Sequence, residues 1–573
     1  MALRKLSGVA LAAALAGFAS AQDFANLLPE ETFFALGMQD WQSTSEQFKD
    51  FSDEFTRLGV ADALGALAAS EGDDGAADSD MSAEDKEIME TLGSPDVLGQ
   101  EAWIAISATT ASPLPALTLV TKVTPAGAEK VQALIDGAEP EGQSQELEES
   151  GIPFTQLDIE NDSPVQTFAY SLSDELLAFS TNPDALRGVL RRYAGADEPN
   201  FVSAQGYTDT LGTLEPGNFY SYFDYARIAE VAAPYAQNMG FDKLVTRLSQ
   251  AFSTAGSVGS VLTMTDDGLT SESFQALNRQ GGDEALYKLL STSAPATREV
   301  GVPEGAFTFS ASAFDVGGWY DYLNTLALAV PELGGDLDSL VLSFTGLSLR
   351  ESLISWAGDQ FVTVTTGFAA PTEPGVPSEN MLGEQVFMIQ ASNEAAAQRG
   401  LDNLFQSLNQ TVSSLTAPEG NAQGSQSETE TLEGAQVTRY DLAPGASVFY
   451  AVSGGYALIG TSEDAITQTL AAQGQSAPQE LFSDVPAEAS SYVHSDDQAT
   501  YQNLATQMSS TIQTAAGMGG GENLDFAAVE KSSKAVEDFL TFVATRLQTT
   551  TSYSETSPEG VRSHGESLIS WQE

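Results

Sequence analysis

An internal repeat constrains this chain more than any other feature. Gly151-Ile152-Pro153-Phe154-Thr155-Gln156-Leu157-Asp158-Ile159 matches Gly434-Ala435-Gln436-Val437-Thr438-Arg439-Tyr440-Asp441-Leu442 in its Gly, Thr, Asp and apolar positions, at an offset of 283. Tyr170-Ser171-Leu172-Ser173 then falls on Tyr450-Ala451-Val452-Ser453, and Asn182-Pro183-Asp184-Ala185 on Ser462-Glu463-Asp464-Ala465, both at an offset of 280. Further blocks keep the same order: Leu28-Pro29-Glu30 with Val302-Pro303-Glu304, Ala126-Gly127-Ala128 with Ala395-Ala396-Ala397, and Tyr220 to Asp224 with Tyr492 to Asp496. One block could align by accident, but an ordered series implies a folding unit copied head to tail. The expected organisation is a leader at 1–21, a first repeat domain at 22–280, a linker at 281–301 and a second repeat domain at 302–573.

Within each copy the apolar period alternates between two and 3.6, the sign of mixed strands and helices. Phe168 to Leu172 with Leu176 to Phe179, and Ser447 to Val452 with Tyr456 to Ile459, read as hairpins. A helix start follows each one, at Asn182-Pro183 and at Ser462, because a short polar side chain can satisfy the first unpaired N–H groups. Ala102 to Ser107, Leu117 to Val123, Phe361 to Thr366 and Glu384 to Gln390 read as strands. So do the closing pairs Val258 to Met264 with Leu269 to Leu277, and Thr549 to Ser554 with Val561 to Ile569. Short glycine-containing connections favour antiparallel pairing. The predicted class is α+β: two tandem similar domains, each a mostly antiparallel sheet of about six to eight strands with helices packed on one face. Residues 139–150 and 417–433, rich in Ser, Gln, Glu and Gly, read as one loop present in both copies, and 71–90 and 517–521 read as mobile surface.

The ends and the charge bound the location. Arg4 and Lys5, the apolar stretch Leu6 to Phe18 and the small residues Ala19-Ser20-Ala21 have the order of a secretory signal peptide. The apolar stretch is shorter than the roughly 20 residues that span a bilayer, and no later run reaches that length. No transmembrane segment is therefore expected in the mature chain, which is expected in the periplasm, cell envelope or medium. With 23 Lys and Arg against 80 Asp and Glu, the net charge is -57, a field that repels phosphate backbones and excludes nucleic acid as a partner. There is no Cys, so thiolate chemistry, disulfides and Cys-ligated metals are excluded as well.

Catalytic signals are sparse. His494 and His564 are the only imidazoles and have no counterparts in the first copy, where Tyr222 aligns with His494. With no Gly-x-Ser-x-Gly elbow and no His-Glu-x-x-His pair, each reads as a strand histidine rather than a base or zinc ligand. Carboxylates are so numerous that no pair stands out for glycoside hydrolysis. Asp73, Asp74, Asp78 and Asp80 could hold a loosely bound calcium ion through several carboxylate oxygens, without the spacing of a known loop type. No other cofactor is expected.

The aromatic run Phe219, Tyr220, Tyr222, Phe223 and Tyr225 alternates, sending Phe219 and Phe223 to one face of a strand and Tyr220 and Tyr222 to the other. One set fills the core, and the other could floor a groove for a sugar or apolar ligand, as could Trp319, Tyr320 and Tyr322 in the second copy; helices over both faces would instead bury both sets.

The order of Leu28-Pro29-Glu30, a helix, two strands, a helix, the Gly-x-x-Phe/Val-Thr-x-x-Asp strand, a hairpin and the Asn182-Pro183-Asp184-Ala185 or Ser462-Glu463-Asp464-Ala465 helix start resembles an uncharacterised family of exported bacterial proteins, domain of unknown function 3352. The resemblance implies export and repeat architecture and carries no catalytic residues. The expected function is non-enzymatic: an exported cell-envelope or secreted protein with a binding or assembly role, its partners other envelope components. Two alternatives stand beside it. One is a carrier holding a hydrophobic or saccharide ligand, with Tyr220, Tyr222, Trp319 and Tyr322 at the ligand. The other is a carboxylate-based hydrolase.

Overall fold

A computed structural model describes residues 24–60, 95–98, 101–109, 114–137, 143–158, 167–173, 175–237, 242–280, 282–328, 335–367, 384–416, 427–443, 446–475, 477–482, 484–506 and 526–571. Residues 1–21, read above as a leader, and residues 71–90 and 517–521, read above as mobile surface, lie outside the described residues. The described chain divides into two compact units. The first holds residues up to Asp50, those from 95 to Tyr287, and Glu559–His564. The second holds residues 51–60, Lys288–Pro558 and those from Gly565 to 571.

Ten strands run through the first half: β1 (Thr32–Gln39), β2 (Glu101–Ser107), β3 (Ala116–Thr121), β4 (Gln143–Glu149), β5 (Ile152–Asp158), β6 (Thr167–Leu172), β7 (Leu177–Ser180), β8 (Phe219–Asp224), β9 (Ser257–Thr265) and β10 (Gly268–Ala276). Their antiparallel pairings give the order β10-β9-β8-β1-β2-β3-β7-β6-β5-β4. The second half carries β11 (Thr308–Ala313), β12 (Ala357–Gly367), β13 (Glu384–Ala391), β14 (Ser427–Leu432), β15 (Ala435–Ala443), β16 (Ala446–Ser453), β17 (Tyr456–Gly460), β18 (Ser491–Asp496), β19 (Leu547–Thr556) and β20 (Gly560–Ile569). Its pairings run β19-β18-β11-β12-β13-β17-β16-β15-β14, with β20 beside β19. Strand for strand, the second order repeats the first. Each sheet holds more strands than the six to eight expected.

The expected loops at 139–150 and 417–433 contain β4 and β14. Both are polar and largely exposed, so their strand state comes from ladder pairing and not from buried apolar surface. The turns that start β5 and β15 share one backbone form: Ser150 and Gly151 at φ 53° and 83°, Glu433 and Gly434 at φ 47° and 83°. Two successive positive φ values match the right-handed strand twist of a two-residue hairpin turn, which explains the glycine in both copies.

Local capping follows the polar residues. Asn182 accepts from the N–H groups of Asp184 and Ala185 at 2.9 and 3.2 Å and starts the helix Pro183–Tyr193. Ser462 accepts from Ala465 N–H at 3.0 Å and starts Glu463–Ala472. Asp224 and Asp496 repeat the relation at the ends of β8 and β18, accepting from Arg227 and Ala499 N–H, each at 2.9 Å.

Helices cover both faces of each sheet, a correction to the one-face expectation. In the first unit, Leu186, Val189 and Leu190 of Pro183–Tyr193, with Phe201, Tyr207 and Leu211, close over Ala35, Trp103, Val120, Tyr220 and Tyr222. On the opposite face Trp41 packs on Ile104, Leu119, Phe168 and Phe179, while Val131 of the helix Pro125–Gly137 packs with Leu172 and Leu177. In the second unit Ile466 and Leu470 join Val362, Val386 and Leu458 on one face. Leu401 and Phe405 of the helix Glu394–Thr416 join Tyr440, Tyr450 and Ala457 on the other. Apolar residues on both sides of a strand are what a doubly covered sheet requires. The expected linker is partly structural too: Glu284–Ser291 is helical, and Ala296 and Val300 are buried in the second core. Among the described residues no helix is long and apolar enough to cross a membrane.

Candidate functional site

The expected ligand residues separate once the faces are known. Alternation along β8 holds, but the buried side is the tyrosine side. Tyr220 and Tyr222 are 7% and 2% exposed, so neither offers an open ring face, and only Tyr222 reaches the cleft described below. Tyr220 lies 5.6 Å from the Trp103 ring, and Tyr222 meets Phe201 edge to face at 4.9 Å, under the layer formed by Pro183–Tyr193 and residues 201–214. Burial pushes both phenols up from their ordinary pKa, so they stay neutral hydrogen-bonding groups. In the second unit Tyr322 is likewise buried, at 6%. Trp319 is half-buried and lies flat on the exposed Phe314 at 5.7 Å, with the Tyr322 ring edge-on at 6.1 Å. Asp73, Asp74, Asp78 and Asp80 lie outside the described residues. Among the described residues no group of three or more His, Asp or Glu could hold a metal ion.

A recess lies on the other side of the strand. Phe223 and Ser221 point to the other face of β8. With Tyr225, Val258 and the edge of Tyr222 they line a cleft of about 170 Å³. The β1–β8 register sets Phe34 opposite Phe223, and their rings meet edge to face at 5.5 Å. Phe223 lies 5.5 Å from Tyr225, which stacks on Phe252 of the helix Asp242–Ala255 at 6.3 Å. Val258 faces Phe223 across the β8–β9 ladder. Aromatic rings and a valine therefore converge, and the lining side chains that carry a hydroxyl are Ser221, Tyr222 and Tyr225. A cavity of about 150 Å³ is enough to hold benzene when its walls are apolar. The chemistry on offer is dispersion and ring stacking; no lining residue is a base, and a general base must lie within hydrogen-bond reach of its proton.

The same address in the second unit has the opposite chemistry. Thr308 stands opposite Ser495 and Ser495 opposite Thr550, where the first unit has Phe34, Phe223 and Val258. The Thr308 and Ser495 hydroxyls are 3.4 Å apart. Thr550 donates to Asp497 Oδ2 and lies 2.7 Å from the Ser567 hydroxyl. Asp497, the residue after the capping Asp496, stands where Tyr225 follows Asp224. The polar groups pair with one another, so this spot presents hydroxyls and a carboxylate where the first unit presents rings.

His494 lies in β18 with Nδ1 3.1 Å from Thr551 Oγ1. Burial holds its imidazole below the ordinary 6.5, against the opposing pull of Asp496 and Asp497. It is a half-buried strand residue hydrogen-bonded to its cross-strand neighbour. Sequence reasoning missed Phe34 and Phe252 because a phenylalanine in an apolar strand or helix reads as core. Only strand register and helix placement bring them to Phe223 and Tyr225.

Comparison with known proteins adds a family and nothing finer. A family model described as protein of unknown function (DUF3352) matches residues 103–520. No curated protein and no solved structure matches the chain.

Proposed function

We propose that this chain, which belongs to the DUF3352 family of proteins of unknown function, is a non-catalytic binding protein that takes a small apolar or aromatic group into the cleft of its first unit. The observation that carries this reading is the cleft of about 170 Å³ lined by Ser221, Tyr222, Phe223, Tyr225 and Val258, with Phe34 packed on Phe223 and Phe252 stacked on Tyr225 behind it. Such a site binds by excluding water from flat apolar surface and orients its guest with few polar contacts.

We also infer that the two units are copies of one fold. Equal strand order, equal φ at Gly151 and Gly434, and equal capping by Asp224 and Asp496 support the duplication. Export is inferred from the basic, apolar and small-residue order of residues 1–21. Cleavage after Ala21 is tested by the N-terminal residue of protein recovered from its own host. A mature chain that begins at Met1 would remove the inference.

The binding reading is tested with a neutral apolar fluorophore, N-phenyl-1-naphthylamine, titrated against the mature chain. One saturable site per chain is expected. Phe223→Ser, which installs the residue of the second unit at the same address, weakens it by about ten-fold, the equivalent of about 1.4 kcal/mol of lost ring contact, and leaves the circular dichroism spectrum unchanged. Equal affinity in the variant would place the probe elsewhere and refute the cleft.

A further inference from the structure

A pair of apolar surfaces outside the cleft has a precedent inside the chain itself. In the second unit the helix Phe526–Arg546 is covered by residues 51–60: Val60 and Val536 are buried, with Phe55, Leu58, Phe539 and Leu540 packed around them. Phe55 meets Phe539 edge to face at 5.2 Å, and Phe51 meets Phe542 at 5.4 Å. The covering residues come from the stretch of chain between β1 and β2. The second half has its own helices in that position, Val316–Leu328 and Leu337–Thr345 between β11 and β12, and they leave Leu323, Leu328 and Leu342 at 45%, 59% and 49% exposed.

The helix that is covered also has a counterpart. Asp242–Ala255 precedes β9 as Phe526–Arg546 precedes β19, and its Leu248 is 36% exposed. Register makes the match specific. Ser257 faces Asp224 and Thr549 faces Asp496; Leu248 lies as far before Ser257 as Leu540 lies before Thr549. Leu540 is covered and Leu248 is not. The exposed leucines of the helix pair and the exposed Leu248 thus hold the two positions that, elsewhere in the chain, pack on each other.

We infer that a second copy of this chain completes the contact: the helices Val316–Leu328 and Leu337–Thr345 of one molecule seat on Leu248 of the next, as residues 51–60 seat on Leu540. The occupant is a second copy because the repeat already makes this contact from the same two positions. The inference rests on the duplication proposed above and not on the cleft. Donor and acceptor surfaces lie on the same chain, so two molecules that exchange both contacts close a two-fold pair, and molecules that make one each join head to tail. Molecules carrying a charge of -57 repel at long range, so association strengthens as salt shortens the Debye length from about 10 Å at 0.1 M.

Sedimentation velocity of the mature chain at 0.1 and 0.5 M sodium chloride tests this. Concentration-dependent association, stronger at the higher salt, is expected. Leu328→Gln with Leu342→Gln removes the donor surface and Leu248→Gln the acceptor; each weakens self-association by at least ten-fold. Mixed in equal amounts, the two variants form a heterodimer, because each keeps the surface the other lacks. Circular dichroism checks their folds, and Leu323→Gln replaces the double donor variant if that one is misfolded. A wild type that stays monomeric at 0.5 M salt overturns the inference, as does association untouched by either variant or variants that fail to complement each other. Probe binding at the cleft is unchanged throughout, so failure here leaves that reading intact.

Discussion

Adding one methyl group at Gly37 separates close packing from loose packing in the first core. Gly37 lies opposite Trp103 across the β1–β2 ladder, and a Cβ at this position would come within 3.0 Å of three atoms of the Trp103 ring. The indole has nowhere to retreat: it is 1% exposed, 6.0 Å from the Phe201 ring and 5.6 Å from Tyr220, and its Nε1 donates to Glu101 at 3.1 Å. Overpacking of this kind costs about 1–3 kcal/mol. At roughly 2–4 °C per kcal/mol for a domain of this size, Gly37→Ala should lower Tm by about 2–12 °C. The second unit supplies the natural control: Ala311 occupies the equivalent position in β11 and stands opposite Val362, where a methyl group is accommodated. Thermal unfolding followed by calorimetry and near-ultraviolet circular dichroism is the assay. A Tm within 1 °C of wild type would mean that Trp103 yields freely, and the account of this core as rigid would be wrong.

The remaining predictions concern protons and caps. The His494 imidazole is held below its ordinary 6.5 by burial, so the unfolded chain binds more protons near that pH and stability falls as pH drops through 6.5 toward the folded pKa. His494→Gln should reduce the loss of Tm between pH 7.5 and 5.5, and an equal loss in the variant would assign the sensitivity elsewhere. Asn182→Ala and Ser462→Ala should each cost about 1 kcal/mol in denaturant unfolding, whereas Asn182→Ser should cost little. Equal effects of Asn182→Ala and Asn182→Ser would show that the oxygen at this position does no capping.

Local features were legible before the fold. Asn182-Pro183 and Ser462 announce helix starts, and Ser453-Gly454-Gly455 announces the β16–β17 turn, because each acts through its own neighbours. Features that depend on distant pairing were not. β4 is a strand because β5 holds it in register, and its exposed Gln and Glu residues offer no apolar rhythm to read. Alternation divides β8 into two sets of side chains but does not say which set is covered. The helices after β7 decide that Tyr220 and Tyr222 go inside. Phe34 and Phe223 are far apart in the chain and become neighbours through the β1–β8 register.

The paired address on the two sheets, hydrocarbon at Phe223 and hydroxyl at Ser495, has a consequence for how such a protein can change. The strand pairings and the Asp224 and Asp496 caps are the same around both spots, so the lining is rewritten from greasy to wet within one frame. One scaffold thus carries two independent notice boards, and what is posted on either can differ without disturbing the wall behind it.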